Sequence, residues 1–177
     1  MGVYFSDAQQ TRAGHLVNFA KLSNNTRRTL AGSVSNNEMV LCDFGNYNKQ
    51  ESGSILVISG FVSGKNDSNQ FCTLNFKIGT SYDGNYITTG GGTGSDYPSL
   101  AYTYGGETNG SKHVTIHTTI SGHTTTGAQK MIATYRSADG GSDRPFPLLN
   151  PNSQDSGALE GNPGMNGSTI LIWEVLQ

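Results

Sequence analysis

The sequence predicts an all-β fold: a jelly-roll-like, two-sheet antiparallel sandwich of about eight strands behind a short N-terminal arm. Three observations carry this. The β-branched and aromatic residues fall in discrete runs of alternating polarity rather than being scattered. Turn chemistry separates those runs, with 24 glycines in 177 residues and serine, threonine and asparagine nearly as common. The last run, "GSTILIWEVLQ" from Gly167 to Gln177, is apolar on both faces of an extended strand, with Ile170, Ile172, Glu174 and Leu176 on one side and Leu171, Trp173 and Val175 on the other. Such a strand calls for cover twice: a second sheet on one face and another copy of the chain on the other.

Taken in order, Val3 to Phe5 is a short apolar run. Ser6 then stands as an N-cap, Gln9 at the position that closes a capping box and Gly14 as a stop, which leaves room for one or two helical turns. "HLVNFAKL", His15 to Leu22, reads as a strand. Ser23 to Asn37 is polar and turn-rich and holds the adjacent cations Arg27 and Arg28; it is a solvated loop or an arm laid on a partner's surface. Residues 1–37 are accordingly assigned to an attachment segment and residues 38–177 to the jelly-roll domain.

From Glu38 the strand signals recur. "EMVLCDF" sets Met39, Leu41 and Asp43 opposite Val40, Cys42 and Phe44, and "SILVISGFVS" is apolar on both faces. "FCTLNFKI" places Cys72, Leu74, Phe76 and Ile78 inward, with Phe71, Thr73, Asn75 and Lys77 outward. "SLAYTYG", "KHVTIHTTI" with Val114, Ile116 and Ile120 inward, "QKMIATYR" and the terminal run complete the set. Two segments lack strand character: the glycine-rich Gly90 to Tyr97 and the proline-rich Arg144 to Met165, an excursion long enough to be draped over a neighbour.

The totals exclude several function classes. With 11 Lys plus Arg and a net charge of −2, the chain lacks the basic stripe that follows a phosphate backbone, so nucleic acid is not a partner. No apolar stretch approaches the roughly 20 residues of a membrane helix, and the N-terminus shows no signal-peptide core, so membrane insertion is not expected and assembly in a cytoplasm is. In that compartment Cys42 and Cys72 read as buried strand thiols rather than a disulfide.

Catalytic and metal-binding patterns are missing, and no cofactor is implied. His113 and His117 share a strand face but lie roughly 13 Å apart along it, too far for one metal ion; only a symmetry axis could bring copies of one histidine together. "TGGGTGS" lacks the lysine and the strand-to-helix context of a phosphate loop. No G-x-S-x-G elbow occurs, and the acidic residues show no paired spacing. Binding chemistry is better served: Tyr82, Tyr86 and Tyr97 stand among glycine-rich loops, where rings can stack on a sugar or anchor a protein contact.

The succession "ESGSILVISGFVSG" (Glu51 to Gly64), "KMIATYRSADGG" (Lys130 to Gly141), a proline- and asparagine-rich insertion and "GSTILIWEVLQ" resembles a group of structural proteins of tailed bacteriophages, particularly those of cyanobacterial hosts. Ser54 to Val57, Tyr135 with Gly140 and Gly141, and Gly167 to Val175 stand at the matching places, with apolar departures at Trp173 and Val175. The likeness spans Ser52 to Leu176. It implies a homotrimeric jelly roll on a virion, either a non-enzymatic capsid decoration (cement) protein that binds the phage major capsid protein or the glycan-binding tip of a tail fibre. On this reading Ile170, Ile172, Trp173 and Leu176 form the trimer interface, Val3, Tyr4, Phe5, Arg12, Arg27 and Arg28 attach to the capsid, and Tyr82, Tyr86 and Tyr97 contact a host-surface glycan or another partner. Length favours the decoration protein, because little shaft precedes the domain.

Overall fold

The computed structural model describes residues 13–29, 39–65, 71–79, 95–96, 101–104, 111–137, 148–150 and 167–177. All regular structure among them is strand. Eight strands carry the architecture: β1 (Leu16–Asn24), β3 (Met39–Lys49), β4 (Ser54–Lys65), β5 (Phe71–Ile78), β7 (Ala101–Tyr104), β8 (Ser111–Ile120), β9 (Gly127–Ser137) and β11 (Ser168–Leu176). Three two-residue pieces join them: β2 (Arg28–Thr29), β6 (Ser95–Asp96) and β10 (Leu148–Leu149).

Every pairing is antiparallel, and the order is that of a jelly roll. In sheet A, β11 lies between β1 and β4, and β8 flanks β4 on its other side; β10 continues the β11 side of β4 and carries β2. In sheet B, β9 lies between β3 and β5, and β7 and β6 pair with β5. The helical turns expected before Gly14 lie outside the described residues. The division at residue 37 does not separate an arm from the domain, because β1 pairs with β11 from Leu16↔Val175 to Asn24↔Ser168.

The inner faces meet as the alternation predicts. Leu56, Ile58 and Val62 of β4, Val114, Ile116 and Ile120 of β8, and Ile170 and Ile172 of β11 pack against Phe44 and Tyr47 of β3, Phe76 and Ile78 of β5, and Met131 and Ala133 of β9. Alternation fails in β3, where bulges at Val40/Cys42 and Asp43/Gly45 turn Leu41 and Cys42 into the core in succession. Gly45 takes the second bulge with φ +93, and its N–H donates to Asp43 Oδ1 at 2.7 Å. Lys77, expected outward, is 4% exposed. Gly60 is required for a different reason: a Cβ there would meet Thr169 O and stand 2.7 Å from Ile170 Cα.

Of the excursion from Arg144 to Met165, the described residues Leu148 to Asn150 are tied to sheet A. Leu148 and Leu149 pair with Lys65 and Gly64, and Asn150, at φ 49 and 2% exposed, closes the pairing. Its N–H donates to Ser63 O, its Nδ2 donates to the carbonyls of Asn24 and Thr26, and its Oδ1 accepts from Ser168 Oγ. Ser168 Oγ in turn accepts from Ser63 N. A left-handed residue that satisfies this many buried groups suits asparagine, whose short amide tolerates that backbone.

Candidate interaction surface

The two faces of β11 have different fates. Ser168, Ile170, Ile172 and Glu174 point inward and are fully buried, whereas Thr169, Leu171, Trp173 and Val175 point to the outer side of sheet A and are partly exposed. Register fixes their neighbours on that side. Trp173 lies between Phe19 of β1 and Val57 of β4, Val175 between Leu16 and Ile55, and Leu171 between Lys21 and Ser59. Phe19 and Trp173 touch with ring centroids 5.7 Å apart, and Leu16 and Phe19 are each 50% exposed. Further across, Thr115, His117 and Thr119 of β8 are exposed, and His113 stacks on Phe61 at 4.6 Å.

This outer face is apolar at its Leu16–Ile55 end and polar at its Ser23–Thr115 end. Its strands contain one carboxylate, Glu174, which points the other way. Sheet B differs, since Val40, Ile132, Thr134 and Lys77, opposite its inner side chains, are buried. One face of the sandwich is therefore covered, and the other offers aromatic and aliphatic side chains to solvent.

What holds the face in place is the group that the sequence leaves hardest to explain. Glu174 reaches neither the rim nor an arginine. Its carboxylate accepts from Tyr47 OH at 2.7 Å, Ser54 Oγ at 2.7 Å, Glu51 N at 2.7 Å and Gln50 N at 3.0 Å. The last two are backbone donors of the β3–β4 turn, so β11 clamps that turn from inside. Lys49, 1% exposed, donates to Ser54 Oγ at 2.9 Å and to the carbonyl of Glu51. Burial pushes the Glu174 pKa up, but the bonds from Ser54, Gln50, Glu51 and Tyr47 outweigh it and hold the carboxyl below its ordinary value. Burial lowers the Lys49 pKa against the opposing pull of Glu174 and Glu51. The Tyr47 hydroxyl is pushed up by burial and then by the adjacent carboxylate. This cluster is inaccessible and does structural duty. Its sequence signal is an acidic residue at an inward position of β11, matched by inward Tyr47 and Lys49 on β3.

Of the residues assigned to an interface, Ile170 and Ile172 are each 0% exposed in the protomer's own core, so they are not on its surface. Trp173 is on the open face. Leu176 is partly buried, with its backbone held by Gly14 N and His15 O. The sequence reading missed Leu16, Phe19, Ile55 and Val57 as companions of Trp173, because only the register of β1 and β4 against β11 assembles them. Of the attachment residues, Arg27 is exposed and Arg28 lies half-buried in β2 beside Cys42, while Val3, Tyr4, Phe5 and Arg12 lie outside the described residues, as do Tyr82, Tyr86 and Tyr97. His123 is buried and shares a hydrogen bond with Gln129 Oε1 at 3.1 Å. Among the described residues no three His, Cys, Asp or Glu side chains converge as a metal site, and no helix is long and apolar enough to cross a membrane.

The fold class is thus a jelly roll with one open face. No protein-family model matches the sequence, and no curated protein matches it. Among solved structures, the chain is similar to the infectious bursal disease virus VP2 subviral particle, with a TM-score of 0.48 and 10% identity over 90% of this chain and 33% of that one. It is also similar to the Gt strain of the same virus, at 0.44 and 9% over 93% of this chain and 39% of that one. The chain spans about a third of the length of the first and about two fifths of the second.

Proposed function

We propose that this protein is a non-enzymatic structural component of a tailed-phage virion, a homotrimeric decoration protein that binds the major capsid protein and stabilises the assembled head. The observation that carries the reading is the open outer face of sheet A, where Leu16, Phe19, Ile55, Val57, Trp173 and Val175 form a contiguous apolar surface on a domain whose core is already filled. Such a surface is explained by protein contact, and an interface of standard size needs roughly 800 Å² per partner, about what a four-strand face can supply. The sequence resemblance to phage structural proteins supplies the setting. A cement role needs no chemistry: binding only the assembled lattice stabilises it by mass action.

The test is cryo-electron microscopy of particles lacking the protein, with the purified full chain added back. Density at regular head positions, in threefold clusters, is the expected result. Density on the tail alone overturns it in favour of a fibre tip, and a glycan array then identifies the receptor. Light scattering on the free protein checks the trimer independently.

A further inference from the structure

The two sides of the sandwich are finished differently. At one side the edge strands β1 and β3 run close together and are bridged by side chains: Asn24 Nδ2 donates to Asp43 O at 2.7 Å and Asn18 Nδ2 to Asn48 O at 3.3 Å. Carbonyls of an edge strand are thereby used up within the protein. On the other side, β8 pairs with β4 in unbroken register from Lys65↔Ser111 to Leu56↔Ile120, and among the described residues no strand pairs with its far edge.

The direction of that edge's backbone groups follows from Ser63. Its N–H donates to Ser168 Oγ and its C=O accepts from Asn150 N, so both point to the β11 and β10 side of β4. In an antiparallel ladder successive residues aim alternately left and right, so Val62 and Gly64 bond to β8. Val62 faces Val114, which places Val114, Ile116, Thr118 and Ile120 among the residues bonded to β4. His113, Thr115, His117 and Thr119 therefore direct their N–H and C=O groups away from the sheet, and all four residues are exposed. The strand has no proline and no bulge against β4, and its one charged residue, Lys112, stands next to its first residue and leaves the stretch from His113 to Ile120 without a formal charge.

We propose that this edge is a self-pairing site: β8 pairs antiparallel with β8 of a second copy about a twofold axis through Thr115. The same strand is the occupant that needs nothing added. Centring on Thr115 engages every outward-aimed group from Ser111 to Thr119 and keeps each side chain on its own face. Val114 then stands opposite Ile116 of the other copy, Thr115 opposite itself and His113 opposite His117. β-branched residues meet across the join, and no two formal charges do. The outer faces of two sheets A become one continuous surface. The pairing is independent of the virion reading and of any threefold contact, because it uses an edge rather than the face.

The experiment uses sedimentation equilibrium of the full chain and of Thr115→Pro. Proline removes an N–H that makes no bond within the sheet, so the variant keeps its β-sheet circular dichroism and melting temperature while its self-association weakens at least tenfold. Thr118→Pro removes an N–H that bonds to β4 and loses the fold. A folded Thr115→Pro that associates like the parent protein overturns the proposal. Thr115→Cys gives a second reading that does not rely on proline being accommodated. Cα atoms about 5.5 Å apart across the axis suit a disulfide, so mild oxidation yields a covalent dimer absent from the parent. No covalent dimer from Thr115→Cys also overturns it.

Discussion

Glu174 accepts a hydrogen bond from Tyr47 OH at 2.7 Å across 127 positions of sequence. That contact ties the most apolar strand to the β3–β4 turn, and its worth is set by what is left behind when it is broken. Glu174→Ala strands Lys49 in the core without the carboxylate that balances it, which costs about 3–5 kcal/mol. Urea denaturation should show this as a lower midpoint at unchanged slope. Adding Lys49→Met should recover part of the loss, because the remaining hydroxyls can satisfy one another.

The same group sets an acid limit. Its folded pKa is below the ordinary glutamate value of about 4.3, so the unfolded chain binds the proton more readily than the folded one. The stabilisation is fully present above about pH 5 and is lost as pH falls from there through the folded pKa. Urea midpoints measured from pH 7 down to pH 3 should fall steeply at the acid end. Glu174→Gln should start lower and flatten that slope.

Gly60 tests the close approach of β4 and β11. With Thr169 O and Ile170 Cα where a Cβ must go, the obstacle is backbone and cannot rotate away. Gly60→Ala should cost about 3 kcal/mol, the upper part of the range for overpacking, and should lower the melting temperature although alanine is otherwise the milder residue in a strand.

The faces of β11 separate folding from association. Ile172→Asp puts a charge at a position 0% exposed and should abolish folding, whereas Trp173→Glu alters the open face and should leave a folded protein of lower oligomeric order. Circular dichroism and light scattering on the two variants distinguish these outcomes.

Cys42 is 0% exposed, and burial pushes its thiol pKa up to about 12. At pH 8 the native protein should leave Cys42 unalkylated by iodoacetamide, and denaturant should release it. Mass spectrometry of the peptide spanning Met39 to Lys49 checks this.

Much of the architecture was legible because a half-buried strand writes its period into the sequence. Val114, Ile116 and Ile120 announce both the strand and its inward side, whereas the terminal run, apolar on both faces, announces a strand without saying which face is inward. The bulges of β3 were not legible, since Leu41 and Cys42 face the core together only through a local slip against β9. Nor were β2 and β10, whose two-residue pairings depend on Asn150 finding Asn24 and Ser168 across the fold. The partners of Glu174 were not legible, because a buried carboxylate suggests a cation. The backbone N–H groups of Gln50 and Glu51 serve instead, and backbone donors carry no mark in sequence. Alternation sets Trp173 on the face opposite Ile170 and Ile172, but that this face is the outer one, and that Phe19 and Val57 join it there, follows only from the register of β1 and β4.

The position of β11 between β1 and β4 has a consequence for how the protein is made. Synthesis runs at roughly 5–20 residues per second, so β1 waits on the order of ten to thirty seconds before the strand it pairs with exists. During that interval the Ser54–Phe61 side of β4, later filled by β11, is an unpaired apolar edge beside a nascent chain. Most of its contacts join distant positions, so folding is slow and begins only after nearly all of these residues have left the ribosome. In a crowded cell the yield of this protein is therefore decided by what shields β4 while it waits.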